Sequence, residues 1–201
     1  MHKKIVRHFK TKDPILFSLI QVDQPIELEI HKKPFIRLLR SIIGQQLSVK
    51  AASTIYTRFE NLFENNDITP SGLVKLSPEK MREAGLSRQK ITYLKDLAQK
   101  VLDGEVELDK FGELESEVII EELVRIKGIG KWTAEMFLMF SLGRPDVFSF
   151  GDLGLQNAIM KAYKLEKKPT IKQMEKLSKK WIPYRTYAAM TLWRSLNNDP
   201  K

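Results

Sequence analysis

Leu123 to Gly154 reads LVRIKGIGKWTAEMFLMFSLGRPDVFSFGDLG. An amphipathic segment ends here, the chain turns at Lys127-Gly128-Ile129-Gly130, and Trp132 to Phe140 offers uninterrupted helix formers. Two glycines one residue apart allow positive φ and let backbone N–H groups come close to another surface. At a helix start those groups carry partial positive charge, so the turn suits a phosphate. The same spacing also serves as a plain tight connection between packed helices. Beyond the helix, Gly143-Arg144-Pro145 breaks the pattern, Val147-Phe148 forms a short apolar run, and Asp152 stands between Gly151 and Leu153-Gly154. Its carboxylate is the candidate for chemistry, and Asp at that place also reads as an ordinary helix cap.

On either side the pattern is helical. Asp13-Pro14 is a cap followed by proline at the first helical position, opening a helix through Val22. Pro25 to Ile30 reads as extended. Phe35, Leu38, Leu39, Ile42 and Ile43 fall on one face of a helix that ends at Gly44. A second helix is predicted from Ser48 to Phe63, with Ala51, Ala52, Ile55 and Phe59 inward. Thr69-Pro70 and Ser77-Pro78 open two short ones, and Ser87 caps a longer one with Ile91, Leu94, Leu97, Ala98, Val101 and Leu102 in the core. Arg88, Lys90 and Lys95 are expected on its solvated side. Ser116 caps the acidic helix entering the central turn. Thr170 with Gln173 reads as a capping box, and the last helix runs from Tyr184 to Leu196 with Ala188, Ala189, Leu192 and Trp193 inward. Some ten helices and almost no strand signal make an all-α fold.

The 201 residues suffice for one domain, or for two lobes. Lys and Arg outnumber Asp and Glu by 34 to 25, a net charge of +9 that favours a polyanion, nucleic acid first. There are no cysteines, which excludes disulfides and a cysteine-held iron–sulfur cluster. His2, His8 and His31 have no metal-ligand spacing and read as tail or surface residues; no zinc or other catalytic metal set is present. No stretch reaches the roughly 18 apolar residues of a membrane span, and the basic Met1–Lys12 segment lacks an apolar signal core. A soluble, intracellular, monomeric protein with no membrane partner is the expectation.

The strings IKGIGKWTAEMF and DVFSFGDLGLQNA resemble the helix-hairpin-helix DNA glycosylase superfamily, the 3-methyladenine DNA glycosylase branch in particular. Ser41-Ile42-Ile43-Gly44-Gln45-Gln46-Leu47-Ser48 is similar to a second signature of that branch, and Trp181-Ile182-Pro183-Tyr184-Arg185-Thr186-Tyr187-Ala188-Ala189 to a third. The resemblance implies a two-lobed helical bundle with a cleft between lobes. The chain would form one glycosylase unit, with one lobe over 35–145 containing the hairpin 126–131 and the other made of 1–34 plus 146–201.

It also implies roles. Backbone N–H groups near Lys127, Gly128, Gly130 and Lys131, with Thr133, would hold a DNA phosphate without reading sequence. Carbonyls of Ile126 and Ile129 would offer a place for a structural sodium or potassium ion; no other cofactor is expected. Gln46, with Gln45 and Ser48 beside it, would fill the space left by an extruded nucleotide, and Arg185 would contact DNA. Trp132 and Trp181 match positions lining the base pocket, where indole faces attract a cationic alkylated purine by about 0.5–2 kcal/mol. Met136 stands where relatives often have another aromatic, so base preference can differ. Asp152, twenty residues after Trp132 as in the branch, would be the catalytic carboxylate.

Bifunctional relatives carry a lysine where this chain has Trp132. Lys131 lies one place earlier, about 100° around the helix, so the reading is a monofunctional enzyme for which water is the nucleophile. The expected partner is duplex DNA containing N-alkylated purines, in base excision repair. A glycosylase for uracil, hypoxanthine or mismatched bases, a non-catalytic DNA-binding module and a basic helical interaction domain remain as alternatives.

Overall fold

The computed structural model describes residues 2–197. Among them the helices, in order, are α1 (His2–Lys12), α2 (Pro14–Ser18), α3 (Pro34–Gly44), α4 (Val49–Glu60), α5 (Pro70–Lys75), α6 (Pro78–Glu83), α7 (Arg88–Leu102), α8 (Ser116–Leu123), α9 (Lys131–Phe140), α10 (Leu153–Ala162), α11 (Ile171–Ser178) and α12 (Arg185–Asn197). Short 3-10 turns lie at Glu64–Asn66, Leu108–Gly112 and Lys179–Trp181, and no strand occurs among the described residues. None of these helices is long and apolar enough to cross a membrane.

The chain divides into two compact units. One comprises the residues up to Glu29 and those from Leu138 on; the other is Ile30–Phe137. The division falls inside α9, whose residues through Phe137 belong to the second unit.

In the first unit α10 packs on α12, and α1 on α2 and the 179–181 turn. Its centre is a buried carboxylate. Asp13, 2% exposed, caps α2 by accepting the Leu16 N–H at 3.1 Å. Its other oxygen accepts from the Tyr163 hydroxyl at 2.6 Å and from the Trp181 indole at 2.9 Å. Burial, reinforced by the bond to Asp13, pushes the Tyr163 phenol above the ordinary tyrosine range, so it stays a donor. Three neutral donors thus satisfy a group that would otherwise be costly to bury.

In the second unit α3 lies against α4 and α7, and α5 and α6 against α7. The one-faced apolar pattern of α3 has its physical counterpart here: Leu38, Leu39, Ile42 and Ile43 are buried. The caps at Ser48, Thr69, Ser77 and Ser87 each accept the backbone N–H three residues on, and Thr170 and Gln173 complete the capping box of α11 in the first unit.

Several expectations need correction. Residues 2–12 form a helix that the sequence hides, because five of its eleven residues are Lys or Arg and only Ile5 and Phe9 are buried. The helix opened by Asp13 stops at Ser18 rather than Val22. Ser116, expected as the cap of α8, is its first residue; Glu115, in extended conformation, stands at the N-cap position with no side-chain cap bond. Lys90 is no solvated side chain: its ammonium donates to the carbonyls of Ile43 at 2.7 Å and Gln45 at 2.9 Å. The carbonyls at the end of α3 attract the cation, and partial burial lowers its pKa below the usual lysine range. Lys95 likewise reaches the Val74 carbonyl at 3.2 Å.

Candidate active site

Asp152 caps α10. Its Oδ1 accepts the Leu155 N–H at 2.7 Å and the Trp193 indole N–H at 3.0 Å. The carboxylate therefore sits at the positive end of a ten-residue helix with a fixed orientation. Gly154 makes room for this arrangement: a Cβ there would lie 3.0 Å from Asp152 Oδ1 and 3.2 Å from Trp193 Nε1. Phe140 faces the Trp193 ring at 6.0 Å between centroids. Cap and candidate catalyst are one side chain.

The segment leading to Asp152 is pinned from α12. Arg185 pairs with Asp146 through Nε at 2.8 Å and a second nitrogen at 3.0 Å, while the Arg185 N–H donates to the same carboxylate at 3.1 Å. The Thr186 hydroxyl donates to the Arg144 carbonyl at 2.6 Å and accepts the Val147 N–H at 3.0 Å. The expectation that Arg185 contacts DNA is corrected accordingly: its guanidinium is committed to Asp146 and fixes the loop. Trp181 is corrected too. Its indole is 0% exposed, bonded to Asp13 and packed against Phe148 at 5.2 Å, so it is core in this structure and offers no open face.

The hairpin belongs to the second unit. Gly128 has φ +82°, and a Cβ there would overlap the Tyr93 ring, so two independent constraints demand glycine. The Lys127 N–H donates to Asp96 Oδ2 at 2.8 Å, with the Lys127 ammonium 3.6 Å from the other oxygen. Gly130 differs: its φ is not positive and a Cβ would meet nothing within 4 Å. The same holds at Gly112 and Gly151, so open space by itself assigns Gly130 no role. Lys131 is exposed, Trp132 is 53% exposed, and Met136 is half-buried on the same helix. Thr133, in the first turn of the same helix, is 8% exposed.

Gln45, also expected at DNA, uses its amide otherwise, donating to the Gly128 carbonyl at 2.8 Å. Gln46 next to it is exposed and takes the left-handed conformation, φ +57°, uncommon for a residue with a side chain. Ser48 is exposed and caps α4 through Ala51. Trp193, Gly154, Tyr93 and Asp96 escaped the sequence reading because each acts on a partner more than thirty positions away or, for Gly154, through lack of a side chain.

Charge is unevenly shared. The first unit holds 17 Lys and Arg against 9 Asp and Glu, so it carries eight of the nine net positive charges. Among the described residues no group of three or more His, Asp or Glu could hold a metal ion. For an alkali ion at the hairpin, the Ile126 carbonyl already accepts the Ile129 N–H at 3.1 Å and keeps one lone pair for a further partner.

Comparison with known proteins places these features. YfjP of Bacillus subtilis is 36% identical over 165 residues, 79% of this chain; the chain spans only 58% of that relative's length. The crystal structure of a Bacillus halodurans DNA-3-methyladenine glycosidase superposes with a TM-score of 0.88 at 39% identity, covering 96% of this chain and 89% of that one. The Schizosaccharomyces pombe 3-methyladenine DNA glycosylase in complex with abasic DNA gives 0.80 at 35% identity, covering 96% and 97%. The family model described as HhH-GPD superfamily base excision DNA repair protein matches residues 39–184. That match spans the hairpin, Asp152 and Trp181, and this chain belongs to the HhH-GPD superfamily of base excision DNA repair proteins.

Proposed function

We propose that the chain is a monofunctional 3-methyladenine DNA glycosylase, which releases N-alkylated purines, 3-methyladenine and 7-methylguanine among them, from duplex DNA. The relatives named as acting on 3-methyladenine, and the one crystallised with abasic DNA, support the substrate class and the product. The observation that carries the chemistry is the carboxylate of Asp152, capped by Leu155 and gripped by Trp193.

The damaged nucleotide must leave the stack before its sugar can be reached. The hairpin holds a phosphate through the backbone N–H groups of Gly130 and Lys131, with Gly130 allowing close approach, while the Lys127 N–H, expected to share that contact, is committed to Asp96. Gln46 fills the gap left behind. Trp132, more than half exposed, stacks on the cationic purine. As the glycosidic bond breaks, its electron pair goes to the base, which departs neutral, and the sugar becomes an oxocarbenium ion. Asp152 stabilises that cation and takes the proton of the water that adds to it, leaving an abasic hemiacetal. Lys131 precedes Trp132 by one residue, about 100° around the helix, which supports water as the nucleophile and an intact strand. The enzyme acts as a single unit and as a monomer, inside the cell where its DNA is.

Incubation with methylated duplex DNA, followed by chromatography of the freed bases, tests this. 3-Methyladenine should appear, and borohydride should trap no covalent adduct. Release of uracil, hypoxanthine or mismatched bases instead would support the alternative substrates, and binding with no release would leave a DNA-binding module.

A further inference from the structure

Three side chains of α7 reach two separate loops. Lys90, Tyr93 and Asp96 follow one another at spacings of three, along one side of the helix. Lys90 donates to the carbonyls of Ile43 and Gln45, at the turn that carries Gln46. Tyr93 lies under Gly128, and Asp96 accepts the Lys127 N–H at 2.8 Å. Gln45 closes the circuit, its backbone carbonyl held by Lys90 and its amide nitrogen donating to Gly128 at 2.8 Å.

We infer that Gln45 and α7 form a positioning device that fixes the Gln46 turn against the phosphate-binding hairpin, so that gripping the backbone sets the depth at which Gln46 enters the duplex. The inference rests on the reading of Gln46 as the plug. It replaces the direct DNA contact expected of Gln45 by an indirect role. A plug gains from being rigidly referenced to the phosphate, because a loose one spends part of its interaction on ordering itself. The left-handed backbone at Gln46 directly follows the residues that Lys90 and the hairpin hold, Ile43 and Gln45. The Gln45 amide bonds one loop directly to the other, while α7 holds each of them separately, so substituting Gln45 removes the direct bond and leaves the α7 contacts in place.

The test uses the full chain in an Asp152→Asn background, which slows the chemistry enough for extrusion to be read before release, with 2-aminopurine beside the lesion to report base extrusion. Gln45→Met keeps the volume and loses the donor. It should lower the extrusion equilibrium by ~10-fold, the value of one partly buried hydrogen bond. Affinity for undamaged duplex should stay within about twofold, because the phosphate contacts remain. Lys90→Met should act in the same direction and Lys90→Arg should restore part of the loss. Thermal unfolding checks that each variant is folded; where Gln45→Met is not, the smaller, uncharged Gln45→Ala serves, since it also lacks the donor.

Unchanged extrusion in a folded Gln45 variant overturns the inference. So does an equal loss of affinity for undamaged DNA, which would make Gln45 a mere support of the hairpin. Intact extrusion in Gln46→Ala would remove the plug reading itself, and the coupling with it.

Discussion

The Trp193 indole donates its Nε1–H to Asp152 Oδ1 at 3.0 Å, although 41 positions separate the two residues. The bond joins α12 to the first residue before α10 and sets the carboxylate's plane, while Gly154 leaves the space in which the two meet. A Trp193→Phe variant keeps the ring and loses the donor. Single-turnover base release should fall on the order of 10-fold, as for a hydrogen bond to a charged group. Affinity for abasic DNA should be unchanged. Gly154→Ala should show the same split, since its Cβ crowds the carboxylate and not the DNA.

Asp13 is a structural carboxylate, far in role from Asp152. Asp13→Ala strands the Trp181 indole and the Tyr163 hydroxyl and uncaps α2. The cost should be about 3 kcal/mol or more, from two buried unsatisfied donors and one lost cap. Urea unfolding measures it, and Asp13→Asn, which keeps acceptor oxygen, should lose less.

The two hairpin glycines should separate fold from function. Gly128→Ala meets both positive φ and the Tyr93 ring, and should lower thermal stability. Gly130→Ala meets neither, so its melting temperature should hold while DNA affinity falls. Calorimetry and fluorescence anisotropy on the same pair of proteins give the comparison.

Lys131 is exposed at the start of α9. If it neutralises one phosphate, Lys131→Ala should lower the slope of log affinity against log salt by about 1 unit, equally for damaged and undamaged duplex. A slope equal to wild type would remove it from the interface.

Much of the fold was legible because it is written in local rules. The i, i+3, i+4 stripe of α3 and the caps at Asp13, Ser48, Ser87 and Asp152 depend only on neighbours a turn away. What stayed hidden is long-range. Nothing in the sequence near Arg185 says that Asp146 will take its guanidinium, and nothing near Trp181 says that Asp13 will draw its indole into the core. Lys90 looks like any polar-face lysine until the end of α3 arrives beside it. The acidic residue at 152 and the glycine turn were readable because both chemistries need a particular residue at a particular place; their supports were not, since hydrogen-bond partners can be recruited from anywhere in the chain.

Single-turnover release of 3-methyladenine by Asp152→Asn, at enzyme saturating over a methylated duplex, probes the centre of this mechanism. The rate should fall by about 10²-fold or more, equivalent to about 2.7 kcal/mol of barrier, with abasic-DNA affinity retained. A rate equal to that of the wild type would contradict a catalytic role for Asp152.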